Sequence, residues 1–194
     1  MKGIKGMPRQ RITKEMIVEA AFSLAREGGM EKVLVKNIAE RIGCSVQPVY
    51  CYCQNMEGLK AEVIDYTRKF IQDYISGQVD TACLFESVGR AHAQLAREEP
   101  YLYRLYYLRK RQHAHSLDDI YREETNPETL RDLMEKLEIG EERARRLHRH
   151  MMVYNIGLSF FLSSLGAETD AEQMREMEHE AYKAFEREIL GEEE

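Results

Sequence analysis

Val35-Lys-Asn-Ile-Ala-Glu-Arg-Ile-Gly-Cys-Ser-Val-Gln-Pro-Val-Tyr-Cys-Tyr52 is the stretch around which the rest of the chain is organised. Its first half places Ile38, Ala39 and Ile42 at helical spacing, which predicts a short helix with one apolar face. Gly43 follows where that helix should end, because glycine adopts the left-handed cap conformation without steric cost.

The second half of the stretch predicts another short helix. Ser45 can accept a hydrogen bond from the first free amides and is the expected N-cap. Pro48 falls in the first turn, where a missing amide hydrogen costs no helical bond. Val49 and Tyr52 are three residues apart and share one face. Two short helices joined by a glycine turn predict a helix-turn-helix that binds nucleic acid, and a plain helical hairpin without a ligand is the alternative.

Length and composition narrow the class of protein. The chain has 194 residues and a net charge of −6, enough for one or two small domains. The most apolar run, residues 153–165, is too short to cross a bilayer and contains Asn155 and three serines. Residues 1–11 have no apolar core of a signal peptide. We therefore expect a cytoplasmic protein without membrane contact.

Charge is distributed unevenly along the sequence. Residues 1–60 have ten Lys and Arg against six Glu, whereas residues 61–194 have eighteen against twenty-eight acidic residues. A basic end on an acidic protein predicts phosphate contact at that end only. The arm before Thr13 has Lys2, Lys5, Arg9 and Arg11, and it either touches DNA or is a solvated tail.

Four cysteines do not indicate a disulfide framework in a cytosolic chain. Cys51 and Cys53 are two apart and would point to nearly opposite sides of a helix, which is poor spacing for a metal. His113 with His115, and His148 with His150, have the same spacing. We expect no metal site and no cofactor.

Residues 11–60 resemble the DNA-binding domain of the TetR family of bacterial transcriptional regulators. The match covers about a quarter of the chain. It is carried by Arg11, Thr13, Ile17, Ala20, Ala21, Phe22, Leu24, Gly28, Ile38, Ala39, Gly43, Ser45, Val49, Tyr50, Tyr52, Glu57 and Leu59. The remainder resembles the family in length, helical content and layout only.

The second helix of the motif is expected in the major groove with its first residues at base edges. Gln47 can pair with adenine through two hydrogen bonds, and Val46 can contact a thymine methyl. By resemblance, Tyr50 and Tyr52 stand where the family binds phosphate or sugar, with Cys51 between them. The predicted DNA-binding residues are Arg11, Lys36, Ser45, Val46, Gln47, Pro48, Tyr50, Cys51, Tyr52 and Lys60.

Three departures from the family pattern affect this prediction. Leu34 replaces the usual Ser or Thr that caps the first helix and binds a phosphate, which leaves Lys36 as the nearer candidate. Pro48 occurs where the family often has threonine. Met56 replaces a usual lysine, although Lys60 lies one turn further on.

The chain beyond residue 56 is helical by its periodicity, with no alternation typical of strands. Thr13 should cap a helix that ends at Gly28-Gly29. Later helices are predicted over 57–79, 84–99, 101–111, 118–124, 126–140, 141–165 and 170–190. The prediction is an all-α fold of about nine helices. A helix-turn-helix domain would cover residues 1–56, and a helical effector-binding and dimerisation domain residues 57–194.

The resemblance implies two further sites in the second domain. An effector pocket would be lined by Phe85, His92, Tyr103, Tyr106, Tyr107, Tyr121, Tyr154, Asn155 and Phe160, although a core residue is the ordinary interpretation of each. The last two long helices would form a homodimer interface with Leu147, Met151, Leu158, Phe161, Leu162, Met174, Met177, Ala181 and Phe185. A dimer also suits a near-palindromic operator, because one reading helix covers few base pairs.

The sequence therefore predicts a dimeric DNA-binding transcriptional regulator, a repressor that a small-molecule effector releases from its operator. The alternative is a DNA-binding organiser that acts through protein partners without a small ligand. We do not expect an enzyme. The sequence has no nucleophile elbow, no phosphate-binding glycine loop and no His-Glu metal motif.

Overall fold

The structure, a computed structural model, describes residues 12–52, 56–165 and 171–191. In these ranges it has ten α-helices and no β-strand, which confirms the predicted all-α fold. The helices are α1 (Lys14–Gly28), α2 (Val35–Ile42), α3 (Val46–Tyr52), α4 (Met56–Gln78), α5 (Leu84–Glu98), α6 (Pro100–Tyr107), α7 (Leu117–Glu124), α8 (Pro127–Leu137), α9 (Glu141–Leu165) and α10 (Ala171–Leu190).

The chain divides into two compact units, Met1–Thr67 and Arg68–Glu194. The division falls inside α4, whereas the sequence places the domain boundary at the start of that helix. The buried positions of α4 follow an i, i+4 pattern through Leu59, Val63, Thr67 and Ile71. Tyr66 is 39% exposed, and its ring lies against that of Phe22, with 4.7 Å between the two centroids.

The first unit is built on α1. Thr13 caps this helix as predicted, since its Oγ1 accepts a hydrogen bond from the Met16 amide at 3.3 Å. Helix α2 packs against α1. The buried side chains of α1 recur with helical period, and they are Ile17, Val18, Ala20, Ala21, Phe22, Leu24 and Ala25. This apolar face fixes the position of the helix-turn-helix.

The second unit is arranged around α9, which packs against α5, α6, α8 and α10. The bounds of α9 are those that the sequence predicts. One apolar core cluster joins α8, α9 and α10, and its buried members are Leu130, Leu133, Ala144, Leu147, Met151 and Ile189. A helix with neighbours on several sides must be apolar around most of its circumference, as the middle of α9 is.

Two predicted helix ends are wrong. α6 stops at Tyr107 instead of Arg111, because the guanidinium groups of Arg109 and Arg111 turn back to donate to the carbonyls of Tyr106 and Tyr107. These arginines also pair with Glu123 and Glu124 of α7, which holds the segment after α6 in place.

α8 stops at Leu137 instead of Gly140. Glu138 takes the left-handed cap conformation, with φ of 52°, and its amide donates to Met134. The Gly140 carbonyl instead accepts the Ala144 amide at the start of α9. The left-handed cap of this helix is therefore formed by a glutamate, although glycine is the usual residue there.

Candidate nucleic-acid interface

The turn between α2 and α3 has the geometry that the sequence predicts. Gly43 adopts φ of 76° and ψ of 34°, the left-handed region, and its amide donates to Glu40. The next amide, that of Cys44, donates to Ala39 at 2.9 Å. Two orphan carbonyls of α2 are thereby satisfied, and the chain reverses into α3 within three residues.

The orientation of α3 is fixed by the packing of its apolar side. Val49 is 0% exposed and lies in the core of the first unit together with Ile38 and Ala39 of α2. Pro48 is in the first turn, as predicted, and is half-buried. Ser45 immediately precedes the helix and is exposed. One buried valine therefore sets which face of this short helix is turned to solvent.

The outward face of α3 presents apolar and aromatic groups. Val46 is 43% exposed, Tyr50 60% and Tyr52 43%, while Gln47 and Cys51 are exposed between them. Exposure of this much apolar area on so short a helix is typical of a binding surface. We call Val46, Gln47, Tyr50, Cys51 and Tyr52 the reading face.

No charged residue occurs on the reading face or next to it in the sequence. The sequence from Gly43 to Met56 contains no Asp, Glu, Lys, Arg or His. Residues 12–60 have six basic and six acidic side chains, so the excess of four positive charges in residues 1–60 belongs to the arm. Arg11 is part of this arm and lies outside the described residues.

Three cations of the first unit are paired with glutamates. Both terminal nitrogens of Arg41 donate to Glu27, at 2.5 and 2.6 Å. This pairing lowers the pKa of Glu27 and raises the pKa of Arg41. Lys60 bonds Glu57 at 2.9 Å, and Lys14 pairs with Glu62. Exposed pairs of this kind are weak, so Lys60 can leave Glu57 for a phosphate.

Lys36 is exposed in the first turn of α2. The helix has no side-chain N-cap, because Leu34 occupies that position and is itself exposed. Asn37 instead ties the helix start to the preceding segment, donating to the Lys32 carbonyl at 2.9 Å. No signal in the sequence predicts this contact between Asn37 and the segment before the helix.

The predicted effector residues form two aromatic clusters in the second unit. Tyr103, Tyr106 and Tyr107 are buried on α6, with the first and last rings 4.5 Å apart. The Tyr107 hydroxyl lies 3.1 Å from Nδ1 of His92. Burial raises the pKa of Tyr103 to about 12 and lowers the pKa of His92 to about 4.

The second cluster surrounds His148, a buried residue that the sequence analysis did not assign to the pocket. Its ring lies 5.6 Å from that of Phe85 and 5.4 Å from that of Tyr121. Burial lowers the pKa of His148 to about 4, so the imidazole is neutral at pH 7. Its Nδ1 has no hydrogen-bond partner. Nothing in the sequence distinguishes this histidine from its exposed counterparts.

The other three predicted effector residues make contacts with residues outside these clusters. Tyr154 donates to the Met177 carbonyl of α10 at 3.1 Å. Asn155 and the buried side of Glu178 meet above Gly89, where a Cβ would lie 2.3 Å from the Glu178 Oε1. Burial raises the pKa of Glu178. Phe160 is partly exposed and contacts Phe161.

Several buried polar atoms in the second unit have no hydrogen-bond partner. They include the hydroxyls of Tyr103, Tyr121, Thr129 and Ser159. Ser159 is near enough to Tyr103 to oppose the rise in its pKa, although neither hydroxyl has a bond of good geometry. An unsatisfied buried group is costly, so such atoms are candidates for ligand contact. Sequence reasoning missed Ser159 because it stands in an otherwise apolar run.

The predicted dimer residues separate into two groups. Leu147, Met151, Leu158 and Leu162 are buried within the unit and have almost no surface left for a partner. Phe161 is 65% exposed and Met177 is exposed, while Met174, Ala181 and Phe185 are half-buried. Helical periodicity identified the apolar face of α9, but not whether the same chain covers it.

The described residues contain no cluster of candidate metal ligands. No group of three or more His, Cys, Asp or Glu side chains among them could hold a metal ion. Cys44, Cys51 and Cys83 are free thiols, and Cys53 lies outside the described residues. His113 and His115 are exposed in the segment between α6 and α7.

Comparison of the chain with models of protein families, with curated proteins and with solved structures finds no match. No helix in the part of the chain described here is both long enough and apolar enough to cross a membrane.

Proposed function

We propose that the protein is a DNA-binding transcriptional regulator in which α3 reads the major groove. The observation that carries the proposal is the reading face, held outward by buried Val49 after a glycine turn. A helix with exposed amide, apolar and aromatic groups suits base edges, which combine hydrogen-bonding atoms with methyl groups. The resemblance of residues 11–60 to the TetR family supports the same function.

Affinity for the phosphate backbone would come from outside α3. The arm contains Lys2, Lys5, Arg9 and Arg11, and Lys36 is exposed at the start of α2. Phosphate contacts position a protein on DNA, whereas base contacts select the sequence. The proposal therefore divides these roles between the basic arm with Lys36 and the uncharged reading face.

Control by a small molecule is the second part of the proposal. The buried aromatic clusters of the second unit contain hydroxyl and imidazole atoms without partners, which a polar aromatic effector could satisfy. The regulator would bind a near-palindromic operator as a homodimer and act as a repressor. The effector would release the operator through α4, whose residues belong to both units.

One observation favours the alternative of an organiser that acts through protein partners. Phe161 and Val153 are exposed on α9, and Met177 is exposed on α10. Apolar groups of this kind suit a protein contact. Small molecules that displace the protein from its operator would favour the repressor, whereas a protein partner that binds α9 and α10 without a ligand would favour the organiser.

Fluorescence anisotropy tests DNA recognition directly. Wild-type protein and Gln47→Ala are titrated into labelled DNA from immediately upstream of the gene and into scrambled DNA over a salt series. We expect tight binding to the upstream DNA alone, weakened about tenfold or more in Gln47→Ala. Gln112→Ala removes an exposed glutamine outside the helix-turn-helix and should bind like wild type. Weak, equal, steeply salt-dependent binding to both duplexes would contradict sequence recognition.

A further inference from the structure

The absence of charge around α3 restricts which bases it can read. From Gly43 to Met56 the sequence has no cationic or anionic side chain. The nearest cation before this stretch is Arg41, whose two terminal nitrogens both bond Glu27. The nearest charge after it is Glu57, which bonds Lys60. The reading face must therefore recognise bases without arginine, lysine or carboxylate.

This composition disfavours recognition of G·C pairs. The commonest specific contact with guanine is a bidentate hydrogen bond from arginine or lysine to O6 and N7. The amino group of cytosine is read by a carboxylate acceptor. The exposed side chains of α3 supply neither group. The groups that remain are the amide of Gln47, the branched alkyl group of Val46, two phenol rings and the Cys51 thiol.

The same groups match A·T pairs. The Gln47 amide can donate to adenine N7 and accept from its N6 amino group. Val46 and Tyr50 are four residues apart, so their exposed side chains lie on the same face of α3. A branched alkyl group and an aromatic ring in that position can pack on thymine methyl groups, which only A·T pairs present in the major groove. This role places Tyr50 at base edges instead of the phosphate or sugar that the resemblance implies for it.

We infer that the base pairs facing α3 in each half-site are A·T pairs, with Gln47 selecting adenine and Val46 and Tyr50 selecting thymine methyl groups. This inference rests on the proposed function, because it assigns the bases that the same face reads. It goes further than DNA binding, because a protein that binds DNA could have either A·T or G·C pairs at the centre of each half-site.

Selection from a pool of duplexes with a randomised centre tests the inference. Full-length protein is incubated with the pool, and the bound DNA is amplified and sequenced over several rounds. We expect two inverted half-sites with A·T pairs at their selected core positions. Enriched half-sites with G·C cores would overturn the inference and leave the proposed function intact. No enrichment of any sequence would overturn both.

Replacement of thymine by deoxyuridine then tests the methyl contact. The substitution removes only the 5-methyl group and preserves base pairing. For wild type we expect the affinity to fall about fourfold for each contacted thymine, the value of one buried methylene-sized group. Val46→Ala should lose most of this difference, and its fold should survive because Val46 is exposed.

Lys36→Ala is the matched control. It should bind both duplexes more weakly by the same factor and keep the full difference between them, because Lys36 is assigned to phosphate. Wild-type protein that binds the deoxyuridine duplex as tightly as the thymine duplex would overturn the assignment of Val46 and Tyr50.

Discussion

The tyrosines of two short helices, α3 and α6, are placed in opposite ways. On α3, Tyr50 and Tyr52 are turned to solvent, while on α6 the side chains of Tyr103, Tyr106 and Tyr107 are buried. Both helices are short and rich in apolar residues. What differs is the neighbourhood, because α6 packs against α5 and α9, whereas α3 packs against α2 through one buried valine.

The contrast shows that residue type alone does not separate a core from a binding surface. A buried tyrosine stabilises the fold by area and ring contacts, and its hydroxyl then needs a partner. An exposed tyrosine contributes little to stability and keeps its area available for a ligand. Substitutions in the two regions should therefore affect different measurements.

The largest expected effect is that of Tyr103→Ala. Its side chain is 1% exposed, so removing it should lower the free energy of unfolding by about 3–5 kcal/mol, as large aromatic-to-alanine changes do. Denaturant unfolding followed by circular dichroism measures this change. Tyr103→Phe is the control and should be nearly neutral, because the hydroxyl it removes has no partner. A phenylalanine variant as unstable as the alanine variant would show that the hydroxyl holds the core together.

A second effect concerns pH. The pKa of buried His148 is lowered to about 4, so the unfolded chain binds more protons than the folded one between about pH 6.5 and pH 4. His148 therefore reduces stability as the pH falls through this window, by up to about 3 kcal/mol. We expect His148→Phe to keep the ring contacts with Phe85 and Tyr121. Its melting temperature should fall less between pH 7 and pH 5 than that of the wild-type protein.

The exposed His113 provides the control for this measurement. His113→Phe should follow the wild-type dependence of melting temperature on pH, since this side chain is exposed to solvent in the folded protein as it is in the unfolded chain. Identical curves for wild type and His148→Phe would contradict the burial of a neutral imidazole.

The reverse case to Tyr103 is Tyr50→Ala. Because Tyr50 is largely exposed, we expect the free energy of unfolding to change by less than about 0.5 kcal/mol. Affinity for the operator should fall about tenfold, or about 1.4 kcal/mol, by anisotropy. Tyr101→Ala removes an exposed tyrosine of α6 and should leave the affinity unchanged. Equal losses in both variants would remove the distinction between the two regions.

The smallest expected effect is that of Lys36→Ala. Loss of one phosphate contact per subunit should weaken binding to all sequences alike and reduce the slope of log affinity against log salt by about 1 per subunit. Lys69→Ala, which removes an exposed lysine of the second unit, should leave the slope unchanged. A change in base preference in Lys36→Ala would place this lysine at a base edge instead.

Local sequence signals predicted much of the fold. Thr13 as the cap of α1, Gly43 at the turn and both ends of α9 are confirmed, because each depends on residues within a few positions. The end of α6 was not predictable, since it depends on Glu123 and Glu124 of α7. That pairing is set by how the helices pack, which periodicity does not specify.

Some features of the candidate site could be predicted from the sequence, and others depend on packing between helices. The exposure of Gln47 and Tyr50 fits the sequence prediction, which assigns both side chains to DNA contact. The burial of Leu147 within its own unit could not be predicted, because an apolar stripe looks the same under a partner subunit and under a neighbouring helix. His148 and Ser159 were missed for the complementary reason, since burial of a polar group leaves no mark in the sequence.

Hydrogen–deuterium exchange with and without operator DNA tests most directly whether the reading face binds DNA. The duplex is the one recovered by selection or found upstream of the gene, and exchange is followed by mass spectrometry of peptides. We expect DNA to slow exchange in peptides covering residues 35–52 and to leave exchange in peptides covering residues 84–107 unchanged. Slower exchange confined to the second unit, with none in α2 and α3, would contradict this expectation.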